Sequence, residues 1–191
     1  MASAICKDPA FIFVHIPKTG GTSFISHGSK ATKELKRHCK LEVSASHRRI
    51  IDIAKTHNLD DYFKFSIVRN PFDRFISLWL TKKAKDGTDL DGFIELIENH
   101  RLPMMKFKPQ IYWISVGHDR NLLVDHLVKY ENYKLGLYEV LRKLGLPLVK
   151  LPHMRQTIRE EDYRKYYKTQ EQIAYVQDRY RIDLLKLNYR Y

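Results

Sequence analysis

Residues 11–23, Phe-Ile-Phe-Val-His-Ile-Pro-Lys-Thr-Gly-Gly-Thr-Ser, constrain what this chain can fold into more than any other stretch. Phe11 to Val14 is a short run of aromatic and β-branched residues, which reads as a buried strand. Pro17 ends it, because proline has no N–H to give to a sheet ladder. Gly20 and Gly21 can take positive φ and let the backbone approach a ligand closely. Thr22 and Ser23 are suited to cap a following helix, expected to reach about His27 and to end near Gly28. The first amides of such a helix are donors with a positive dipole end behind them. Lys18 adds a mobile full charge. A strand, a lysine, a glycine turn and hydroxyls at a helix start make an anion cradle suited to phosphate.

The spacing narrows the choice. A nucleoside-triphosphate loop has the order Gly-x-x-x-x-Gly-Lys-[Ser/Thr], with the lysine after the last glycine and the next hydroxyl on magnesium. In this chain Lys18 precedes both glycines, so that motif is absent.

A second phosphate-suited element follows. Tyr62 to Val68 reads as a strand and runs directly into Arg69-Asn-Pro-Phe-Asp-Arg-Phe-Ile-Ser-Leu-Trp79. Pro71 suits the first position of a helix. Phe72, Phe75, Ile76, Trp79 and Leu80 recur at helical spacing as its buried stripe, which leaves Asp73, Arg74 and Ser77 on the other side. Ser77 lies roughly 9 Å along the axis from Pro71 at about 1.5 Å per residue. An anion touching both Arg69 and Ser77 must therefore lie beside the helix, not on its tip.

These two elements, in this order, resemble the sulfotransferases that use 3′-phosphoadenosine 5′-phosphosulfate (PAPS). His-Ile-Pro-Lys-Thr-Gly-Gly-Thr-Ser is similar to the 5′-phosphosulfate loop of the carbohydrate branch of that family, the heparan- and chondroitin-type enzymes. Arg69 and Ser77 match the arginine and the serine eight residues later that grip the 3′-phosphate. The resemblance implies that Lys18, Thr19, Gly20, Gly21, Thr22 and Ser23 hold the 5′ end of PAPS and that Arg69 and Ser77 hold the 3′ end. Lys18 is then also catalytic, stabilising charge on the departing phosphate. The implied fold is α/β: a single domain over residues 1–191 with a central, mostly parallel sheet flanked by helices, like a nucleotide kinase with its P-loop. No metal is expected, since no carboxylate cluster has ligand spacing.

The family places a histidine as base just before the helix that follows the first basic segment. Aligning Ser44-Ala-Ser-His-Arg-Arg-Ile50 with that pattern puts Ser44 at its position. Histidine is the side chain that titrates near neutral pH, so a nearby one is the natural substitute. His47 lies three residues on, and if 44–47 are helical it shares a face with Ser44. His47 is the preferred base and His38 the second, with neither as the remaining alternative. His15 reads as a structural contact to the turn.

The rest of the chain is compatible with the same resemblance. Residues 30–40 are basic and helix-compatible, and Ser46 is a candidate cap for a helix over His47 to His57. Asp89 to Glu98 has amphipathic spacing, and Lys108-Pro-Gln-Ile-Tyr-Trp113 is similar to a Pro-Gln segment of bacterial members. A strand is expected over Val124 to Asn132 and a helix over Leu135 to Leu144, ended by Gly145. A loop follows at Pro152 to Thr157, then helices near Glu160 to Tyr167 and from Gln170 to about Leu187. The ending Tyr-Arg-Ile-Asp-Leu-Leu-Lys-Leu-Asn-Tyr resembles the family terminus.

With 191 residues, 43% of them hydrophobic, the chain can bury a proper core. Its formal net charge of +12 favours polyanions in general, among them acidic glycans and phosphate-rich cofactors. No zinc-finger or RNA-binding signature points to a specific nucleic-acid partner. No apolar run approaches the roughly 18 residues that cross a bilayer. The chain therefore reads as soluble and cytoplasmic, or as the trimmed catalytic domain of an anchored enzyme, since animal Golgi members carry a membrane anchor. Cys6 and Cys39 lack metal spacing and read as free thiols. The leading expectation is sulfuryl transfer from PAPS to a hydroxyl, of a carbohydrate. The alternatives are a non-catalytic polyanion binder on the same fold, for which Ser44 speaks, and a nucleotide-dependent phosphotransferase. The acceptor and the oligomeric state are not readable from the residues.

Overall fold

The structure, a computed structural model, describes residues 3–25, 30–44, 46–117, 120–149, 160 and 162–191. In chain order its strands and helices are β1 (Ala4–Lys7), β2 (Ala10–Val14), α1 (Gly21–Phe24), α2 (Lys30–His38), β3 (Leu41–Val43), α3 (Ile50–Ala54), β4 (Phe63–Val68), α4 (Pro71–Asp86), α5 (Leu90–Glu98), α6 (Ile111–Ile114), β5 (Ser115–Val116), β6 (Asn121–Leu122), β7 (His126–Lys129), α7 (Tyr133–Lys143), α8 (Gln170–Arg179) and α9 (Arg181–Lys186). Two compact units divide the chain: Met1–Val68 with Gln110–Arg155, and Arg69–Pro109 with Gln156–Tyr191.

The first unit is built on a five-stranded sheet of order β3-β1-β2-β4-β7. The pairs β2–β4 and β4–β7 are parallel, whereas β1 is antiparallel to both of its neighbours. Four of the five strands thus run the same way, as expected of a mostly parallel sheet. β2 is buried through most of its length, which is why it reads as a continuous apolar run; β4 is buried from Phe65 onward, and the Ser66 hydroxyl within it donates to Val14 O at 2.7 Å. Phe11, Phe13, Phe65 and Ile67 share one face by the two-residue period and enter a cluster with Phe24 of α1, Leu35 of α2 and Leu137, Val140 and Leu141 of α7. The Phe13 ring lies 5.2 Å from Phe65 and meets Phe24 edge-on at 5.3 Å. Cys6 and Cys39 are buried free thiols, and burial pushes the Cys39 thiol up to about 12.

β1 and β3 were not among the expected strands. Three or four residues are too few to show a period, and the sheet edge alone makes Leu41–Val43 a strand. The helix expected over His47 to His57 is shorter: α3 starts at Ile50 with Arg49 at its N-cap position, so Ser46 does not cap it. Ser44, His47 and Arg48 are held instead by bonds to Ser3, just before β1, and to His15, just after β2. The Ser44 amide donates to Ser3 O at 2.9 Å. Ser3 Oγ in turn donates to Arg48 O at 3.4 Å. Ser44 and His47 therefore do not share a helical face. At the other end of the chain, α7 begins at Tyr133, two residues early, and stops at Gly145 with φ 64°.

The second unit is helical and centred on α4, whose first ten residues are all buried. Asn70 caps it, its Oδ1 accepting from the Phe72 amide at 3.0 Å with Pro71 as the first helical residue. Gly87, at φ 76°, closes it. Phe75, Ile76 and Trp79 pack with Phe93 and Ile97 of α5 and Val176 of α8. The side of α4 opposite the apolar stripe, with Asp73, Arg74 and Ser77, is buried as well. Arg74 is 1% exposed; its guanidinium donates to Lys106 O at 2.8 Å and Lys108 O at 3.2 Å and lies over the Tyr180 ring. Burial lowers its pKa. The single helix expected from Gln170 to Leu187 is two, α8 and α9, meeting at the buried Tyr180. The helix expected near Glu160 is one short 3-10 turn, Tyr163–Tyr166. The loop at Pro152 to Thr157 lies outside the described residues, whereas the first helix, expected to reach about His27, stops earlier: α1 ends at Phe24 with Ile25 extended as its C-cap.

Candidate functional site

In the first unit β2 delivers the chain to a tight turn. Val14 is the last strand residue, His15 and Ile16 continue extended, and Thr19 Oγ1 donates back to Ile16 O at 3.0 Å. That bond curls Pro17–Thr19 into a loop, with Lys18 at φ 68° and Gly20 at φ 86°. Lys18 is one of the few non-glycine residues in the left-handed region, where a side chain costs roughly 1–2 kcal/mol. Gly20, not Thr22 or Ser23, is the N-cap of α1, and no side chain caps it. Thr22 and Ser23 lie inside the first turn, because the Ser23 amide is taken up by Gly20 O at 2.9 Å. Ser23 is 6% exposed and hydrogen-bonded through its side chain to Tyr133, whose phenol burial pushes up.

Both glycines are required by their neighbours. A Cβ on Gly20 would sit 2.9 Å from the Tyr130 ring, and one on Gly21 would sit 2.3 Å from His15 Cδ2. The His15 ring thus lies directly on the loop, matching the contact expected of it. Gly21→Ala forces that ring aside, and overpacking of this kind costs about 1–3 kcal/mol. Urea unfolding should show the loss together with impaired ligand binding. An alanine variant with unchanged stability would mean that the His15 ring yields freely.

His15 also faces the proposed base. Its carbonyl oxygen receives a hydrogen bond from His47 Nδ1 at 2.7 Å, and the two rings lie 4.5 Å apart. A carbonyl can only accept, so Nδ1 carries the proton and Nε2 is the basic nitrogen of neutral His47. The Trp113 ring, from α6, stands edge-to-face with the same imidazole, their centroids 5.7 Å apart. His38 has a different setting: it is exposed in the last turn of α2, with Nε2 3.5 Å from Glu34 Oε1. Ser44 Oγ lies 2.7 Å from Ser46 O and 3.1 Å from Ser3 O.

In the second unit Arg69 and Ser77 are both buried, at 4% and 8% exposure. Arg69 Nε donates to Asp73 Oδ2 at 2.7 Å, one helical turn on. Asp73 was read only as lying opposite the apolar stripe; the Arg-x-x-x-Asp spacing would have revealed the pair. Asn70 adds two ties through Nδ2, to Tyr163 OH at 3.1 Å and Arg190 O at 2.8 Å. Sequence reasoning also missed Tyr130 and Tyr133, which no local pattern marks because they reach the loop from distant elements, and it noted Trp113 only as the end of a similar segment.

A lysine on a glycine turn at a strand end, with a histidine held beside it in one tautomer, is equipped for anion binding and proton removal. A family model described as the Sulfotransferase family matches residues 2–190. The chain belongs to the sulfotransferase family. No curated protein and no solved structure matches it. Membership makes it a transferase that moves a sulfuryl group from a donor to a hydroxyl acceptor. Among the described residues, no helix is long and apolar enough to cross a membrane.

Proposed function

We propose that this sulfotransferase takes its sulfuryl group from PAPS and delivers it to a carbohydrate hydroxyl. Residues 1–191 act as a single sulfotransferase domain of the P-loop-kinase-like type. The observation that carries the reading is the pairing of His47 with the residue that leads the Lys18 loop. The reading takes His47 as the group that removes the acceptor proton and the neighbouring loop as the holder of the phosphosulfate. Lys18 stabilises charge on the bridging oxygen as the phosphate departs; Thr19, Gly20, Gly21, Thr22 and Ser23 form the cradle. Arg69 and Ser77 take the 3′-phosphate. The +12 charge suits an acidic glycan as acceptor.

Calorimetric titration with adenosine 3′,5′-bisphosphate, then with ATP and magnesium, tests the donor. Tight binding of the first and weak binding of the second is expected. Transfer of labelled sulfate from PAPS across a panel of glycans tests the acceptor. Preference for ATP, or no transfer to any glycan, removes the corresponding half of the proposal.

Arg69 carries a separate expectation. Arg69→Ala removes the guanidinium that faces the buried Asp73 carboxylate, and breaking such a pair costs about 3–5 kcal/mol of stability. It should also cost at least about tenfold in affinity for the bisphosphate, since a charge-assisted hydrogen bond is worth roughly 1.5–3 kcal/mol. Combining Arg69→Gln with Asp73→Asn removes both charges, and should restore stability without restoring affinity. Equal losses for the bisphosphate and for adenosine 5′-monophosphate would detach Arg69 from the 3′-phosphate.

A further inference from the structure

The segment Lys108–Trp113 stood out in the sequence, yet sulfuryl transfer as described assigns it no part. Its last residue lies against the proposed base. Trp113 is 2% exposed on α6 and presents its ring to His47 at 5.7 Å and 61°, an edge-to-face arrangement. Its amide donates to Gln110 O at 3.0 Å, which starts the short helix, and Gln110 itself is fully buried. The indole Nε1 is buried with no hydrogen-bond partner among the described residues. An unsatisfied buried N–H is costly, and a phenylalanine would fill much of the same space without it.

His47 needs what this ring supplies. Turning the imidazole over about its Cβ–Cγ bond would exchange Nδ1 with a ring carbon and break the bond to His15 O. The His15 and Trp113 rings pack on the imidazole with centroids 4.5 Å and 5.7 Å from its own, so such a turn must work against both. We propose that Trp113 is a positioning residue for His47, holding its Nδ1 on the His15 carbonyl so that Nε2 stays the basic nitrogen. The role rests on the reading of His47 as the base.

Nitrogen-15 NMR of the histidine rings in the intact chain reads the tautomer directly, without any catalysis. Neutral His47 should be the Nδ1–H form in the natural protein. In Trp113→Leu a sizeable Nε2–H population should appear, and turnover should fall about 10- to 100-fold, the scale of a misplaced catalytic group. Affinity for adenosine 3′,5′-bisphosphate should stay unchanged. Trp113→Phe keeps a ring edge and deletes the unsatisfied N–H, so it should fold at least as stably, keep the tautomer and recover most of the rate. If Trp113→Leu does not fold, Trp113→Met, a flexible apolar filler, carries the same two outcomes. A leucine or methionine variant with the natural tautomer and full turnover overturns the proposal. If the natural protein transfers no sulfate, the tautomer populations still decide the positioning role, and only the reading of His47 as base is lost.

Discussion

Lys18→Ala should lower sulfate turnover by about 10²–10³-fold, the scale of losing one group that stabilises developing charge, while raising the dissociation constant of adenosine 3′,5′-bisphosphate far less. Lys18 stands at φ 68°, a conformation that lysine holds only when its surroundings enforce it. Those surroundings are Pro17 before it, the Thr19 bond to Ile16 O behind it and the left-handed Gly20 after it. Glycine relieves that strain, so Lys18→Gly should unfold no more easily than the natural protein and yet lose activity as alanine does. Pairing these variants separates chemistry from folding. Arginine should substitute poorly, because a planar fork does not reproduce a compact ammonium. Steady-state kinetics beside calorimetry check the split. Near-normal turnover with merely weakened binding would reduce Lys18 to a ground-state contact.

His47→Ala should cost about 10²–10⁴-fold in turnover, the usual contribution of a general base, with bisphosphate affinity nearly intact. The base must be neutral to accept the acceptor proton. The rate of the natural enzyme should therefore be low where His47 is protonated, rise with pH through its titration and then level off. The alanine variant should lose that rising limb. His38→Ala should do much less, since His38 faces solvent beside Glu34. Ser44→His puts a histidine at the place where the resemblance implies one, and could rescue the His47 variant. It must give up the bonds of Ser44 Oγ to do so. A His47→Ala enzyme with full turnover and an unchanged pH profile would dismiss it as the base. If His38→Ala is equally silent, the base is another group or the protein's role is not catalytic.

Much of the local structure was legible in the residues because short-range physics sets it. A strand over 11–14 followed by a glycine turn, and a strand into Asn-Pro capping a long helix, need only apolar period, proline's fixed φ and a side-chain cap. The sulfotransferase resemblance rested on those same two stretches, and the family match spans residues 2–190. The helix start at Pro71 and the helix stop at Gly145 could be read for the same reason. The extent of the helices after the first basic segment could not: the period at 50–54 was visible, but bonds from Ser3 and His15, more than thirty residues away, keep residues 46–49 out of the helix.

What the sequence determined by itself is the kind of chemistry on offer: a lysine and two glycines in anion-binding order, an arginine and a serine eight apart, and histidines near at hand. Only the tertiary structure decided how those groups are held. It put the His15 ring on Gly21, took the Nδ1 proton of His47 onto the His15 carbonyl and buried Arg69 against Asp73. The physical reason is range. Propensity and capping act within a turn or two, whereas a tautomer, a buried ion pair or the space beside a glycine depends on packing between residues brought together only when the chain folds.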